Sequence, residues 1–447
     1  MPLHTLILPF LRSPDAPRLR ADPASMRRLQ RQVFVAITFG YGFFYVCRLS
    51  LNVIKKPLID AGLLDPAQLG VIGSALFFSY AIGRLVNGVL VDHANVRRFM
   101  ALGLLGSAAI NLMLGSLPGF WVFVLLWGAN GWFQSMGAPA SVVAIARWFP
   151  LQGRGTVYGV WSTSHNIGEA FTWLVTGAIV TRFGAAWGLR AAGVVGIVAG
   201  LLILVALHER PQVHGLPAPG DGSEPADESG APLAPRRSVT ALQWQVASDP
   251  RIWLLAGASG LFYVTRYAIN SWGVFFMQEQ KGYSALQATS IISANAIAGI
   301  VGTFFSGIVS DRFFGGNRHR PALLAGLLFI AATTLFVLGP ANPPIDTAAM
   351  VLFGVTMGAL LAYLGGMMAL DLVDKSAVGT ATAIVGVASY LGAAIQDLLS
   401  GHFIQAGRVM SDGHAHYDFT MSGWLWIGAA VLSCAMAQGV RLMPRRP

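Results

Sequence analysis

The sequence predicts an all-α membrane protein: twelve transmembrane helices in two six-helix bundles related by a pseudo-twofold axis. Three observations predict it. Apolar residues gather into runs of spanning length, a polar stretch divides those runs six and six, and two motifs recur in the second half at almost one offset. Hydrophobic residues make up 54% of the 447 and charged residues 11%, against roughly a quarter charged in a soluble domain. Runs such as FMALGLLGSAAINLMLGSL (99–117) and AAGVVGIVAGLLILVAL (191–207) approach the about 20 apolar residues that carry a helix across a hydrocarbon core of ~30 Å.

Taken in order, the expected spans are 33–54, 69–91, 98–116, 119–147, 154–181, 187–207, 251–278, 285–310, 321–340, 346–370, 377–405 and 421–440. Residues 1–32 are basic and proline-rich without a signal-peptide apolar core, so the first span is the expected insertion signal. Spans one to six make an N-terminal bundle, 33–207. HGLPAPGDGSEPADESGAPLAPRRS (214–238) lies in 208–250, where Pro, Gly, Ser and acidic residues predict a flexible cytoplasmic linker. A C-terminal bundle (251–440) and a cytoplasmic tail (441–447) follow. The 52 glycines suit close helix packing in lipid.

The net charge of +10 follows topology. With both termini inside, Lys55, Lys56, Arg182, Arg190, Lys281 and Arg408 fall outside, and Arg48, Arg84 and Arg266 fall within spans. The rest of the 30 Lys and Arg sit in cytoplasmic segments, as the positive-inside rule requires. The basic excess therefore needs no nucleic-acid partner and fits a bacterial inner membrane. Cys47 and Cys434, the only cysteines, both lie in apolar spans and suggest neither disulfide nor metal site.

The first repeated motif is FYVCRLSLN (44–52), which returns as FYVTRYAIN (262–270). Arg48 and Arg266 each have tyrosine three residues before (Tyr45, Tyr263) and asparagine four after (Asn52, Asn270). On a helix those positions share a face with the arginine. The second is a G-x-x-x-D loop, GVLVDHANVRR (88–98) and GIVSDRFFGGNR (307–318). Its candidate gating residues are Gly88, Asp92 and Arg97 in one half and Gly307, Asp311 and Arg312 in the other. Glycine lets two helix ends approach, and the acid accepts from arginines or caps a helix. Such loops are expected to latch the cytoplasmic side in one state.

Ionisable residues inside a span cost several kcal/mol unless they face a partner or a wet cavity. Here they are Arg48, Arg84, His165, Glu169, Arg266, Asp397 and His402. Symmetry brings Arg48 and Arg266 face to face, and two bare guanidiniums call for an anion between them. Arginine suits phosphate because its planar fork donates bidentately and stays charged. His165 is a candidate contact for a phosphate ester. Glu169, one turn on, is a charge-balancing residue expected to hold His165 or to pair with Arg84 or Arg48. Arg84 is either a third cation lining the cavity or the neutraliser of an acid, and Asp397 an acid expected to pair with a cation or with sugar hydroxyls. His402 reads as structural. Tyr41, Tyr45, Tyr263 and Tyr390 can present hydroxyls to a polar ligand. A P-loop GxxxxGK[ST] is absent from the sequence, and DGHAHYD (412–418) reads as a solvated turn more readily than as a metal site. No enzyme, cofactor or metal is expected.

These features resemble the major facilitator superfamily and, within it, the organophosphate:phosphate antiporter family. FYVCRLSLN, GWFQSMGAP (131–139), STSHNIG (162–168), FYVTRYAIN, SDRFFGGNR (310–318) and, more loosely, ASYLGA (388–393) carry the resemblance. It implies a rocker-switch antiporter that exchanges a sugar phosphate or similar organophosphate for inorganic phosphate, as a monomer in the lipid bilayer. It implies Arg48 and Arg266 as phosphate ligands, His165 and Arg84 as substrate contacts, and Tyr41, Tyr45, Tyr263 and Tyr390 around the site. The chain departs from the family pattern at Leu49, Ser162 and Glu169, and it lacks the Tyr-Gly-Pro of span ten, near which Tyr363 stands. LPFLRSPDAPRL (8–19) is similar to the hexose-phosphate sensor/transporter branch. That similarity supports a second reading: a sensor of external hexose 6-phosphate that signals to a histidine kinase. A proton-coupled carrier titrating Glu169 or Asp397 is a third.

Overall fold

A computed structural model describes residues 23–116, 119–150, 152–217, 239–315, 317–373, 378–411 and 414–443. The sensor-like stretch 8–19 and residues 218–238 of the expected linker lie outside the described residues. In lipid a segment must satisfy its own backbone, and the chain does so almost wholly with helices. They are α1 (Pro23–Val53), α2 (Lys55–Asp60), α3 (Pro66–Leu90), α4 (Val96–Leu114), α5 (Phe120–Gln134), α6 (Gly137–Trp148), α7 (Arg154–Ser162), α8 (Ser164–Phe171), α9 (Gly177–Phe183), α10 (Ala185–Ala206), α11 (Val239–Ala247), α12 (Pro250–Gln280), α13 (Ala285–Phe314), α14 (His319–Leu338), α15 (Pro343–Ala362), α16 (Met368–Leu372), α17 (Val378–Ala406) and α18 (Thr420–Leu442). A hairpin of β1 (Arg408–Ser411) and β2 (His414–Tyr417) joins α17 to α18, with Arg408 opposite Tyr417.

Ten of the expected spans are helices long and apolar enough to cross a membrane. The fourth and fifth are segmented. The fourth breaks between α5 and α6 just before Pro139, which cannot donate to the ladder. In the fifth, Ser162 and Thr163 return their hydroxyls to the Gly159 and Val160 carbonyls, each at 2.7 Å, competing with the backbone ladder where α7 gives way to α8. A π-helical turn, Thr172–Thr176, follows α8, and another, Tyr363–Met367, separates α15 from α16. Such turns collect at functional sites.

The internal repeat extends to local structure. Asp65 caps α3, accepting from Gln68 N at 2.8 Å while the Gln68 side chain accepts from Asp65 N at 3.0 Å. Ser284 and Gln287 make the same capping box on α13. The two helices occupy equivalent places in the two halves.

The halves meet along two seams, α3 against α17 and α8–α9 against α13. In the first, a Cβ on Gly73 would overlap the Asp397 carboxylate, and one on Gly70 the Asp397 carbonyl. Only glycine lets the helices approach that closely. The seams are tight toward the end that holds residues 54–65 and 407–419, the distal end. Toward the end that holds Pro23 and Met443, the terminal end, a Cβ on Gly88, Gly159, Gly365 or Gly379 would meet open space. Close backbone approach between the halves is therefore concentrated toward the distal end.

The start of the expected linker is packed. Leu207, Glu209, Pro211 and Leu216 are buried, and a 3₁₀ turn, Pro211–His214, lies beneath the first half.

A candidate anion-binding site

Arg48 lies near the C-terminal end of α1 and is 2% exposed. Its Nε donates to Gln134 Oε1 at 3.1 Å, and Gln134 Nε2 donates on to Ser107 Oγ at 3.0 Å. The guanidinium lies over Tyr45 (4.7 Å) and Tyr80 (4.6 Å). Its two terminal nitrogens, Nη1 and Nη2, are buried without a hydrogen-bond partner among the described residues. A buried charge left half-paired is costly, and these are the two donors an oxyanion would take.

Arg266 holds the equivalent place on α12, also 2% exposed, over Tyr263 (5.4 Å) and Tyr267 (5.3 Å). Its bonds differ from those of Arg48: Nε, which in Arg48 is held by Gln134, has no partner among the described residues. Nη2 donates to Glu169 Oε1 at 3.0 Å. Glu169 comes from the other half, on α8, and is fully buried. Its expected partners, Arg84 and Arg48, are displaced in favour of Arg266. The cause is local packing: α8 meets α1 where a Cβ on Gly168 would collide with the Gly42 carbonyl. That contact turns the next residue, Glu169, toward α12.

His165 is one turn before Glu169 on α8, its ring 5.9 Å from Tyr45. Nδ1 is hydrogen-bonded to the Ser162 carbonyl, so Nδ1 carries a proton. Nε2 is buried with no partner among the described residues and is available to a ligand.

Aromatic rings connect the two arginines. Tyr80 stacks on Tyr390 at 4.2 Å, and Tyr390 reaches Tyr263 at 5.5 Å and Tyr267 at 6.3 Å. Tyr390, expected only to offer a hydroxyl, is the hub of this cluster. Tyr41 packs between Tyr45 (5.6 Å) and Trp161 (5.1 Å). Arg84 lies 5.7 Å over the Tyr390 ring and against Gly386 of α17, where a Cβ would come within 3.0 Å of its Cζ. Tyr363 is committed elsewhere, donating to the Ser306 carbonyl at 2.7 Å, and His402 is exposed.

Asp397 lies outside this cluster, in the distal seam. It accepts from Trp272 Nε1 at 2.8 Å and stands 3.9 Å from Lys55 Nζ. Lys55, expected in an outer loop, is instead 1% exposed. The chain bends at Ile54 and α2 turns the lysine inward, over the Trp272 ring (3.6 Å) and onto Ser271 Oγ (2.7 Å). Nearby, Asn52 Nδ2 donates to the Asn270 carbonyl at 3.1 Å, and Lys56 pairs with Glu279.

At the terminal end, the bonds of the gating motifs stay within a half. Asp311 pairs with Arg318 at 2.6 Å, and Arg318 Nε stands 3.8 Å from Asp371. In the first half, Arg147 donates to the Asp92 carbonyl at 3.0 Å and stands 3.8 Å from Glu209, which accepts from Asn95 Nδ2 at 2.8 Å. Gly88 and Gly307 are half-buried, and Arg312 is exposed. Arg97 is half-buried on α4.

Sequence reasoning missed Gln134, Tyr80, Tyr267, Lys55 and Glu209. Tyr80 was findable, since it precedes Arg84 by four residues and shares its face.

A sequence profile of the Major Facilitator Superfamily matches residues 37–396. The membrane sensor protein UhpC of Salmonella typhimurium is 32% identical over 405 residues, covering 87% of this chain and 89% of the relative. A probable hexose phosphate transport protein of Chlamydia muridarum is 33% identical over 444 residues, covering 95% and 93%. Among solved structures, an inward-facing, occupied bacterial homologue of the lysosomal transporter Spinster superposes with a TM-score of 0.69 at 16% identity. It covers 94% of this chain and 97% of that one.

Proposed function

The chain belongs to the Major Facilitator Superfamily, and on that premise we propose that it carries a sugar phosphate or similar small organophosphate in exchange for inorganic phosphate by alternating access. The observation that carries this reading is the pair of buried guanidiniums, Arg48 and Arg266, placed by equivalent helices of the two halves. Tyr80, Tyr390 and Tyr267 join them, and both donors of Arg48 Nη1 and Nη2 await an acceptor. A phosphoryl group offers oxygens to both forks at once, and His165 Nε2 offers a further contact. The tyrosine faces suit the carbon skeleton of the ester. The transport protein from Chlamydia supports hexose phosphate as the substrate class.

In this reading the terminal end faces the bacterial cytoplasm, as the basic excess there predicts. The protein works as a monomer in the inner membrane. An anion gripped by both halves draws them together and neutralises both cations, so the loaded carrier recloses on the other side. Gly88, Asp92 and Arg97, with Gly307, Asp311 and Arg312, would exchange their present contacts for contacts across the cytoplasmic cleft when it shuts.

The test is exchange of ³²P-phosphate in proteoliposomes. Wild-type protein exchanges phosphate, and hexose 6-phosphate competes. Arg48→Lys or Arg266→Lys cuts exchange about 10- to 100-fold, the worth of a charge-assisted hydrogen bond to an ion. Undiminished exchange in both variants overturns the clamp. The resemblance to a membrane sensor favours one other reading: the same site binds external hexose 6-phosphate and signals to a partner kinase. Saturable binding with negligible exchange selects it.

A further inference from the structure

Glu169 stands on the ligand's side of the clamp. It is fully buried, it bridges from α8 of one half to α12 of the other, and its Oε1 takes the Arg266 donor that a phosphoryl oxygen would take. Its second oxygen, Oε2, is buried without a hydrogen-bond partner among the described residues, as are Arg266 Nε and both terminal nitrogens of Arg48. One donor of the Arg266 fork is thus taken by the protein's own carboxylate, and the two terminal donors of Arg48 are not.

Building on the proposed phosphate clamp, we propose that Glu169 is a tethered counter-ion. It occupies the Arg266 fork between turnovers, and an incoming anion must displace it. A carboxylate carries one negative charge on two oxygens. A phosphate dianion carries two on three and reaches Arg48 as well, so it can win Arg266 where a monoanion cannot. Glu169 therefore selects for dianionic phosphoryl groups and sets the affinity of the site below what two free arginines would give.

A second consequence concerns the empty carrier. Two uncompensated guanidiniums in a closing, low-dielectric cavity repel each other, and an unloaded clamp without an acid should resist closure. With Glu169 on Arg266, the unloaded protein keeps a cross-half ion pair that travels with it. The unloaded halves can then reorient, and net movement of substrate accompanies exchange. Glu169 is a positioning residue for this step: it sets the charge that Arg266 offers.

The experiment compares wild type, Glu169→Gln and Glu169→Asp. It reads inorganic phosphate affinity by equilibrium binding, ³²P-phosphate exchange, and efflux into phosphate-free medium. Glu169→Gln removes the competitor and is expected to tighten phosphate binding about tenfold. It should slow efflux more than it changes exchange. Discrimination against a monoanion such as methyl sulfate should narrow. Glu169→Asp keeps the charge but shortens the reach, and should give intermediate affinity. It serves as the reporter where the glutamine variant folds poorly. Unchanged or weakened phosphate binding in both variants, with wild type binding normally, overturns the tethered counter-ion and leaves the clamp standing. Absence of phosphate binding by wild type overturns the clamp itself.

Discussion

The two ends of the molecule differ in whether their polar bonds cross between the halves. At the distal end polar contacts cross between halves, Asn52 to Asn270, Lys55 to Ser271 and Asp397, Lys56 to Glu279, and Ser74 Oγ to the Ala394 carbonyl at 2.7 Å, beside pairs within one half such as Lys281 with Asp346. At the terminal end they close each half on itself, Arg147 with Glu209 and Arg318 with Asp311 and Asp371. The repeat makes the halves alike, so fold alone does not set this difference. Within the proposed alternating-access cycle it marks the state held closed at the distal end. The distal bonds are those that must break for the cleft to open on that side, whereas the terminal-end bonds maintain the halves as rigid units. Substitutions at the two ends should therefore have different consequences.

The largest effect is expected at Asp397. Asparagine keeps an acceptor for Trp272 but leaves Lys55 buried beside Ser271 and an aromatic ring without its counter-charge. Removing one partner of a buried pair costs about 3–5 kcal/mol, and here opening the seal relieves the cost. A cysteine introduced at Thr289, buried in the opposite seam beside Gly177, should pass from protected to readily labelled by a membrane-impermeant maleimide in the Asp397→Asn, Cys434→Ala background. Combining Lys55→Met with Asp397→Leu replaces the charges by apolar groups and should restore protection. Labelling that stays low in Asp397→Asn means the seal rests on packing alone.

A smaller and different effect is expected at Glu209. Glutamine keeps the bond with Asn95 but removes the charge facing Arg147, which retains the carbonyls of Asp92 and Ala94. The loss, about 1–2 kcal/mol, falls within one half. Thermal unfolding in detergent should begin at lower temperature while labelling at Thr289→Cys stays at its wild-type level. Increased labelling would mean that this network reports on the cleft and that the contrast between the ends is wrong.

Much of this was legible in the sequence because it depends on pattern. Run length gave the spans, and the matched surroundings of Arg48 and Arg266 gave the two-half architecture and the two cations. What stayed illegible depends on rotation and depth. Glu169 had three arginines to choose among, and the choice was made by how Gly42 and Gly168 let α1 and α8 approach. Lys55 follows Asn52 by one helical turn and reads as the start of a loop. Only the bend at Ile54 shows that it points back between the halves. Tyr267, adjacent to Arg266 in sequence, goes unmarked by a pattern of shared helix faces, since neighbours on a helix diverge. A guanidinium on a long stem folds back over its neighbour all the same.

The smallest effect tests the terminal end through pH. His208 and His214 pack edge to face at 4.7 Å, with His208 6.3 Å from the Trp148 ring. Both follow the sixth span and belong to the cap beneath the first half. Burial, then the neighbouring His214 and Arg97, push His208 down to about 4 from the ordinary value of 6.5; burial and Arg97 lower His214 as well. A histidine depressed in the folded state favours folding in its neutral form. Its contribution is complete above pH ~6.5, the unfolded value, and is lost as pH falls from there through about 4. His208 is only half-buried, so solvent screening reduces the contribution to a fraction of a kcal/mol. Thermal unfolding of wild type should drop between pH 7.5 and 5 by more than that of His208→Gln, a side chain without a titrating group. Because the pair lies wholly within one half, protonation should loosen that half without changing which end is open, and labelling at Thr289→Cys should be the same at both pH values once corrected for thiol reactivity. If acid exposes Thr289→Cys in wild type and spares it in His208→Gln, the cap and the distal seal are one cooperative unit. The separation of the two ends would then fail at its weakest point.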